Sequence, residues 1–296
     1  MMMHATPSSF RSTADGTEIF TYAWTGVAGK PVGVVQIAHG LAEHGERYAR
    51  FANALNAAGF LVYAVDHRGH GRSAQGRLGD FGTAGFGGLI ADVAQFGAAL
   101  RARHGDLPLF LFGHSMGSFA AQAALLDHAP TWSGVVLSGS TALDALAAGM
   151  AHAPAGAPTG LAAFNAGFEH RTGYEWLSRD EAEVDAYVAD PWCGWEVPDE
   201  VIPSLFATAP RLADPAQLAG IRADLRLLIA SGDADPLAGG GALVQLLGQR
   251  YREAGITDVT VNLYPAARHE ILNETNRDAI TSDIVAWLQA RSALNS

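Results

Sequence analysis

The stretch LPLFLFGHSMGSFAAQAALL, residues 107–126, decides the fold of this chain. Its first half is an apolar run that predicts a buried strand, and its alanine-rich second half predicts a helix over residues 115–128. Between them stands the pattern Gly-x-Ser-x-Gly, with Ser115 at its centre. A strand that turns directly into a helix at this pattern is typical of a nucleophile elbow, which presents the serine hydroxyl at the carboxyl edge of a sheet.

The residues around Ser115 have the types that such a turn requires. Gly113 and Gly117 flank the bend, where a larger side chain would collide, and His114 and Met116 complete the pattern. The N-terminus of the following helix favours negative charge that develops nearby. The alternative is a glycine-rich turn in which serine is only a small polar residue. The strand before the pattern and the helix after it favour the elbow.

Outward from this stretch, short apolar runs alternate with longer segments of helical period. The strands are predicted at residues 32–38, 60–66, 107–113, 135–138, 225–231 and 259–264, and the helices at 46–58, 86–104, 115–128, 241–254 and 274–291. Two opening strands, at 8–13 and 18–25, flank Asp15-Gly16, a pair that supplies the positive φ of a hairpin turn. The pattern predicts an α/β fold with a mostly parallel eight-stranded sheet, flanked by helices and antiparallel at its start.

Residues 140–218 interrupt this alternation with a segment rich in Pro, Gly, Ala and Trp. We interpret them as an inserted, mainly helical cap on a core formed by residues 1–139 and 219–296, because a structureless loop of this length would be unusual. Residues 145–168 lack charged side chains, but Pro154 and Pro158 interrupt them, so they do not predict a transmembrane helix.

The composition excludes several classes of partner. The chain has 30 Asp and Glu residues against 19 Lys and Arg residues, so it offers no basic surface to a nucleic acid. Cys193 is the single cysteine and cannot form an internal disulfide, which predicts a reducing compartment. Residues 1–12 show no apolar core of a secretory signal. We therefore expect a cytoplasmic protein.

A serine hydroxyl needs a base, and the chain offers 11 histidines. In folds with a nucleophile elbow the order along the chain is serine, acid, histidine, and His269 alone follows the last predicted strand. For the acid, Asp233 and Asp235 both follow the strand at 225–231. We choose Asp235, expect Asp233 to brace the loop, and keep Asp144, after the strand at 135–138, as an alternative.

The oxyanion of acyl transfer needs two N–H donors. Met116 supplies one, and we assign the other to Leu41, because Gly40 permits a turn between His39 and Leu41 after the strand at 32–38. From residue types alone, a plain strand-to-helix loop explains these residues equally well.

Other polar residues predict structure rather than chemistry. The loop at 66–73 contains two histidines, but metal ligands usually come from separated elements, so we expect loop bracing. Glu43 and His44 are expected to fix their loop, and Cys193 to pack without reacting. The sequence predicts neither a metal nor a cofactor.

Two longer motifs resemble one family. The segment HGLAEHGERY, residues 39–48, matches the pattern His-Gly-x-x-Glu-His-x-x-Arg-Tyr and precedes DHRGHGRS, residues 66–73. With the elbow, they resemble the monoacylglycerol lipase and lysophospholipase group of the α/β-hydrolase superfamily, also described with the serine aminopeptidase-type hydrolases. The resemblance covers nearly the whole chain. It implies an α/β-hydrolase fold, a triad and two oxyanion donors at Ser115, Asp235, His269, Leu41 and Met116.

The resemblance also implies a serine ester hydrolase whose small-molecule substrate is a medium- or long-chain acyl ester of the monoacylglycerol or lysophospholipid type. An apolar cap suits an acyl chain, and we expect transient contact of the cap with a membrane surface. A general carboxylesterase, a cofactor-free haloperoxidase and a proline-type aminopeptidase stay open, the last needing a cap carboxylate such as Glu169, Glu175 or Glu196. A non-catalytic binding protein of this fold is the alternative from another class.

Overall fold

The computed structural model describes residues 4–152 and 160–293, and the strands of these residues form one mostly parallel sheet. In chain order they are β1 (Thr6–Arg11), β2 (Glu18–Trp24), β3 (Gly33–Ala38), β4 (Phe60–Val65), β5 (Leu109–His114), β6 (Gly134–Ser138), β7 (Arg226–Gly232) and β8 (Asp258–Tyr264). Across the sheet the order is β1-β2-β4-β3-β5-β6-β7-β8. The pairs β1-β2 and β2-β4 are antiparallel and the others are parallel. The predicted fold class and its antiparallel start are confirmed.

Helices follow the strands close to the predicted positions. In the described residues they are α1 (Ala49–Ala57), α2 (Gly85–His104), α3 (Met116–His128), α4 (Leu143–Ala151), α5 (Glu181–Ala189), α6 (Val201–Phe206), α7 (Ala209–Ala213), α8 (Pro215–Leu218), α9 (Ala242–Glu253) and α10 (Arg277–Ser292). Strand β5 begins later than predicted because Pro108 has no N–H. The carbonyl oxygen of Pro108 still accepts a hydrogen bond from the N–H of Val34 at 2.8 Å.

The central strands are buried on both faces because helices cover both sides of the sheet. In β5, Leu109 and Leu111 pack among side chains of α2, α3 and α9, whereas Phe110 and Phe112 pack among those of α1 and α10. Trp287 of α10 contacts Phe110 edge-on, with 6.3 Å between ring centroids. This alternation follows the pleat of the strand and explains why the sequence runs are apolar throughout.

Between β6 and β7 the described residues, 139–152 and 160–225, contain helices and turns but no strand. Apolar side chains of this region, such as Trp176, Leu205 and Leu212, continue the core on the α3 side of the sheet. The helical character matches the sequence prediction, whereas the boundaries of a cap at 140 and 218 stay predictions.

Within the part of the chain that the structure describes, no helix has the length and apolar character that a membrane crossing requires. Pro154 and Pro158, on which the sequence argument about this point depends, lie outside the described residues.

The polar loop after β4 braces the sheet, as predicted. The guanidinium of Arg68 is fully buried and pairs with Asp92 and with Asp15 of the hairpin turn, both at 2.8 Å. Asp66 accepts a hydrogen bond from the N–H of Gly45 at 2.8 Å. These contacts join the hairpin, the β4 loop and the chain after β3.

We predict that Gly117→Ala lowers the free energy of unfolding by about 1–3 kcal/mol, because the new methyl group would overlap the carbonyl oxygen of Ala38. Gly87→Ala is the control. Gly87 lies inside α2 with open space around it, so alanine there should raise the free energy of unfolding by up to about 1 kcal/mol. Urea denaturation measures both values, and equal stability of the two variants would contradict the close packing of α3 on β3.

Candidate active site

Ser115 occupies the bend between β5 and α3. Its φ of 51° lies in the left-handed region that residues with a side chain rarely adopt. Its N–H donates to the carbonyl oxygen of Ser138 at 2.9 Å, so the end of β6 supports the bend. A Cβ at Gly113 would lie 2.6 Å from the carbonyl oxygen of Gly117, which explains the glycine there. This strained strand-to-helix turn has the form of a nucleophile elbow.

His269 and Asp235 form a buried pair at the same edge of the sheet. Asp235 follows β7, and His269 lies between β8 and α10. Nδ1 of His269 lies 2.8 Å from Oδ2 of Asp235, and both side chains are almost fully buried. The N–H of Leu237 donates to Oδ1 of Asp235 at 2.9 Å and so orients the carboxylate. With the Nδ1 proton directed at Asp235, the neutral ring presents Nε2 as a proton acceptor.

Two opposing effects set the pKa of His269. Burial alone would lower this pKa, because it disfavours the imidazolium. The carboxylate of Asp235 outweighs burial by stabilising the imidazolium, and Glu270 and Glu43 act in the same direction. The pKa of His269 is therefore raised above its ordinary value of 6.5.

Aromatic rings hold the His269 imidazole from two sides. The centroids of the Trp176 and His114 rings lie 4.7 and 4.8 Å from that of His269. Burial lowers the pKa of His114 to about 4, which keeps this ring neutral beside His269. Sequence reasoning missed Trp176, because its place depends on how the segment after β6 folds over the sheet edge.

The other two candidate acids have different partners. Asp233 accepts a hydrogen bond at 2.7 Å from a backbone N–H of the loop after β8, and so braces that loop as expected. Asp144 pairs with both terminal guanidinium nitrogens of Arg250, at 2.6 and 2.9 Å. Of the three aspartates, Asp235 is the one that the structure brings to His269.

Both candidate oxyanion donors line the cavity that contains Ser115 and His269. Met116 is the first residue of α3, and Leu41 lies in the loop after β3. In residues 4–152 and 160–293, no hydrogen bond uses the backbone N–H of Leu41 or of Met116. Both groups are thus available to a substrate oxygen, and their role as oxyanion donors stays a prediction.

His39 and Gly40 shape the segment 39–45, which we call the Leu41 loop. The N–H of His67 donates to Nε2 of His39 at 2.9 Å, so the neutral His39 ring carries its proton on Nδ1, 2.7 Å from the carbonyl oxygen of Gly40. Burial lowers the pKa of His39 to about 3, which keeps the ring neutral. A Cβ at Gly40 would lie 3.2 Å from Cβ of Ser115, so glycine lets the loop approach Ser115.

An ion network contacts the Leu41 loop. As predicted, Glu43 fixes this loop, accepting hydrogen bonds from the N–H of Gly40 at 2.6 Å and from the hydroxyl of Tyr48 at 2.8 Å. Arg47 pairs with Glu43 at 2.7 Å and with Glu270 at 2.6 and 2.8 Å. Sequence reasoning missed the link to Glu270. Burial alone would raise the pKa of both carboxyls, but Arg47 outweighs it and holds both pKa values below their ordinary range.

The segment after β6 also contacts the Leu41 loop. The hydroxyl of Tyr187 and the N–H of Gly194 both donate to the carbonyl oxygen of Ala42, at 2.8 and 3.0 Å. Ala42 has a φ of 55°, again in the left-handed region. Nε2 of His44 lies 2.9 Å from Oδ2 of Asp190. The Leu41 loop is therefore held from the cap side as well as from the sheet.

The cavity in front of Ser115 is mainly apolar. It encloses about 640 Å³, including space open to solvent at its mouth. The segment after β6 supplies most of its apolar wall: Leu143, Leu146, Leu161, Phe164, Trp176, Leu177, Ile202, Leu205 and Phe206. The sheet edge supplies polar groups: His114, Ser115, Glu43, His269 and Glu270. A site with one apolar and one polar wall suits an amphiphilic ligand.

One group of candidate metal ligands occurs in the described residues. His44, Asp190 and Cys193 each bring one ligand atom within 4.8 Å of the others. Burial raises the pKa of the Cys193 thiol, whereas the thiolate is the form that binds metal, so this set fits a metal poorly. The expectation that the protein uses no metal and no cofactor stays a prediction.

A mostly parallel sheet, a serine on a strained strand-to-helix turn and a buried Asp-His pair at the same edge define an α/β-hydrolase. The family model described as serine aminopeptidase, S33, matches residues 29–276. The chain belongs to this family, and it is a hydrolytic enzyme.

Individual relatives point to one group within the family. The monoacylglycerol lipase of Mycolicibacterium smegmatis is 32% identical over 293 residues, which cover 92% of this chain and 93% of the relative. The monoglyceride lipase of Mus musculus is 28% identical over 95% of this chain and 89% of the relative. A crystal structure of a carboxyl esterase from Bacillus coagulans, in complex with glycerol, has a TM-score of 0.83 at 28% identity, covering 98% of this chain and 99% of that chain. The resemblance to the monoacylglycerol lipase group is confirmed.

We predict that kcat/KM for an ester rises with pH through a midpoint above 6.5, because His269 must be neutral to accept a proton and its pKa is raised. Activity is accordingly lost as the pH falls through this midpoint. Asp235→Asn removes the charge that stabilises the imidazolium, so the midpoint should move down and the rate should fall about 10⁴-fold. Profiles of rate against pH measure both effects.

Asp233→Asn is the matched control, because Asp233 lies in the same loop as Asp235 but accepts its hydrogen bond from a backbone N–H of the loop after β8. This variant should keep the wild-type midpoint and nearly the wild-type rate. An unchanged midpoint in Asp235→Asn would show that another group sets the pKa of the base.

Proposed function

We propose that the protein is a serine hydrolase that cleaves carboxylic esters of the monoacylglycerol or lysophospholipid type, with Ser115 as nucleophile, His269 as general base and Asp235 as the acid that orients it. One observation carries this proposal. His269, whose Nδ1 lies 2.8 Å from the buried carboxylate of Asp235, lines the same cavity as Ser115. The lipase and esterase relatives support an ester as the substrate.

In the acylation step, Oγ of Ser115 forms a bond to the ester carbonyl carbon while its proton moves to Nε2 of His269. The carbonyl oxygen becomes an oxyanion that accepts hydrogen bonds from the N–H groups of Leu41 and Met116. The bond to the leaving alcohol then breaks, and the imidazolium returns its proton to that alcohol.

Deacylation repeats these steps with water. His269 takes a proton from the water as its oxygen attacks the acyl carbon, and then protonates Oγ of Ser115 as the acyl-enzyme bond breaks. Asp235 remains a carboxylate throughout and stabilises the imidazolium that forms twice in each cycle. No redox step and no cofactor are part of this proposal.

The cavity favours an acyl chain over a compact acyl group. Its apolar wall can cover successive methylenes, each worth about 0.8 kcal/mol on leaving water. The polar groups at the sheet edge suit the alcohol part of a monoacylglycerol. Transient contact of the cap with a lipid surface, and a cytoplasmic location, stay predictions that accompany this substrate class.

The carboxylates argue for an esterase rather than an aminopeptidase. Glu175 already accepts hydrogen bonds from the side chains of Asn165 and Thr172, at 2.9 and 2.6 Å. Burial would raise the pKa of Glu175, but these hydrogen bonds outweigh burial and hold the pKa at about 2. The carboxylates that do line the cavity, Glu43 and Glu270, share the guanidinium of Arg47. Each of them is therefore already paired, unlike a carboxylate that is free to hold a substrate amine.

Covalent labelling tests the nucleophile. A fluorophosphonate probe should label the wild type, and Ser115→Ala should abolish both labelling and ester hydrolysis, because the attacking oxygen is gone. Ser204→Ala, at an exposed position of α6, is the control and should label as the wild type does. Undiminished labelling of Ser115→Ala would rule out this nucleophile.

Acyl-chain length tests the substrate class. For p-nitrophenyl esters, kcat/KM should rise from acetyl to octanoyl by about tenfold for every two methylenes at first. Ile202→Trp, which fills part of the cavity wall, should lower the ratio of octanoyl to acetyl activity. Val188→Trp, at an exposed position of α5, should leave this ratio unchanged. A steep preference for acetyl in the wild type would point to a carboxylesterase of small substrates.

A further inference from the structure

The guanidinium of Arg47 lies between two carboxylates that belong to different parts of the fold. It contacts Glu43, at 2.7 Å, from the chain after β3, and Glu270, at 2.6 and 2.8 Å, from the chain after β8. All three side chains are largely buried, the most exposed being Arg47 at 12%. The Tyr187 ring covers the guanidinium, with 4.9 Å from Cζ to the ring centroid.

Each of these carboxylates is attached to one part of the candidate machinery. Glu43 accepts the hydrogen bond of the Gly40 N–H at 2.6 Å, and Gly40 directly precedes Leu41. Glu270 directly follows His269 in the chain. Arg47 does not line the cavity that contains Ser115, so any effect on the reaction passes through the side chains that it contacts.

We propose that Arg47 is a positioning residue. It holds the Leu41 loop at a fixed separation from the segment between β8 and α10 that carries His269 and Glu270, which we call the His269 loop. The oxyanion donor and the base can then act on one substrate carbonyl. This inference rests on the proposed function and adds a residue to it. The geometry of the contacts is its main support, because a bidentate pair on one side and a single charged hydrogen bond on the other leave the guanidinium little freedom.

The cost of burial argues that the network has a role beyond packing. Removing charged groups from water is unfavourable, and a well-packed apolar cluster at such a place is often at least as stable. The network also keeps two carboxylates for one guanidinium, which leaves a net negative charge beside His269. That charge favours the imidazolium, in the same direction as Asp235.

Arg47→Lys tests the geometry, because lysine keeps the charge but cannot form the bidentate pair. With p-nitrophenyl octanoate, we expect kcat to fall about 10- to 100-fold while KM changes less than about threefold. The rate of fluorophosphonate labelling at Ser115 should fall in parallel with kcat. A lower kcat with a nearly unchanged KM, together with slower labelling, would place the loss in the acylation step rather than in substrate binding.

Arg68→Lys is the matched control. Arg68 is also a buried arginine between two carboxylates, Asp15 and Asp92, but neither of these carboxylates belongs to the Leu41 loop or to the His269 loop. It should lower the melting temperature and leave kcat per folded molecule unchanged. If Arg47→Lys behaves in the same way as this control, Arg47 is only structural and the proposal is wrong.

A double-mutant cycle provides a test that does not depend on the folding of an Arg47 variant. Glu43→Gln and Glu270→Gln keep the side-chain shapes, and each weakens one side of the clamp. The kcat of the double variant should be little lower than that of the less active single variant, because either change already uncouples the two loops. Losses that multiply would mean that the two loops act independently and would overturn the proposal.

The outcomes also separate this inference from the proposed function. A folded wild type that neither hydrolyses esters nor reacts at Ser115 contradicts the function, and the positioning role with it. A wild type that does both, beside an Arg47→Lys variant with unchanged kcat, contradicts the positioning role alone.

Discussion

The close approach of α3 to β3 is the contact on which the rest of the site depends. Because Gly117 has no side chain, the first turn of α3 lies directly against the carbonyl oxygens of Ala38 and His39. The helix begins directly after Ser115, which has the left-handed φ of 51°, and Met116 and Leu41 line the same cavity. A side chain at position 117 would overlap these carbonyl oxygens, so it would push the helix and Ser115 away from the chain that leaves β3.

The parallel sheet then gathers the remaining groups. Successive crossover helices return the chain to the same side, so the loops after β3, β5, β7 and β8 all open at one edge. The loops supply different chemical parts: backbone donors, a hydroxyl, a carboxylate and an imidazole. The carboxylate and the imidazole interact electrostatically, because the charge of Asp235 stabilises the imidazolium of His269 and raises the pKa of this buried ring. A buried histidine without such a partner, such as His39, is a weak base in the same protein.

Sequence reasoning recovered the strands because residues buried on both faces form continuous apolar runs, and it found His269 because chain order is a property of this fold. It did not recover contacts whose partners are distant in the chain. Arg47 and Glu270 are 223 residues apart, and neither periodicity nor a local motif links them. Trp176 and Tyr187 belong to the segment after β6. Its sequence predicts helices but does not predict which part of the sheet edge those helices pack against. The domain boundaries and the oxyanion donors remain predictions for the same reason, since they depend on tertiary placement.

The two hydrogen bonds to the carbonyl oxygen of Ala42 have a consequence for variation in this protein. They come from Tyr187 and Gly194, in the segment that also forms the apolar wall of the cavity. A change that reshapes this wall therefore also pulls on the Leu41 loop. Under the proposed function, substrate range and turnover rate would therefore vary together: a replacement of the segment after β6 would need to restore these two donors to keep the Leu41 loop in place.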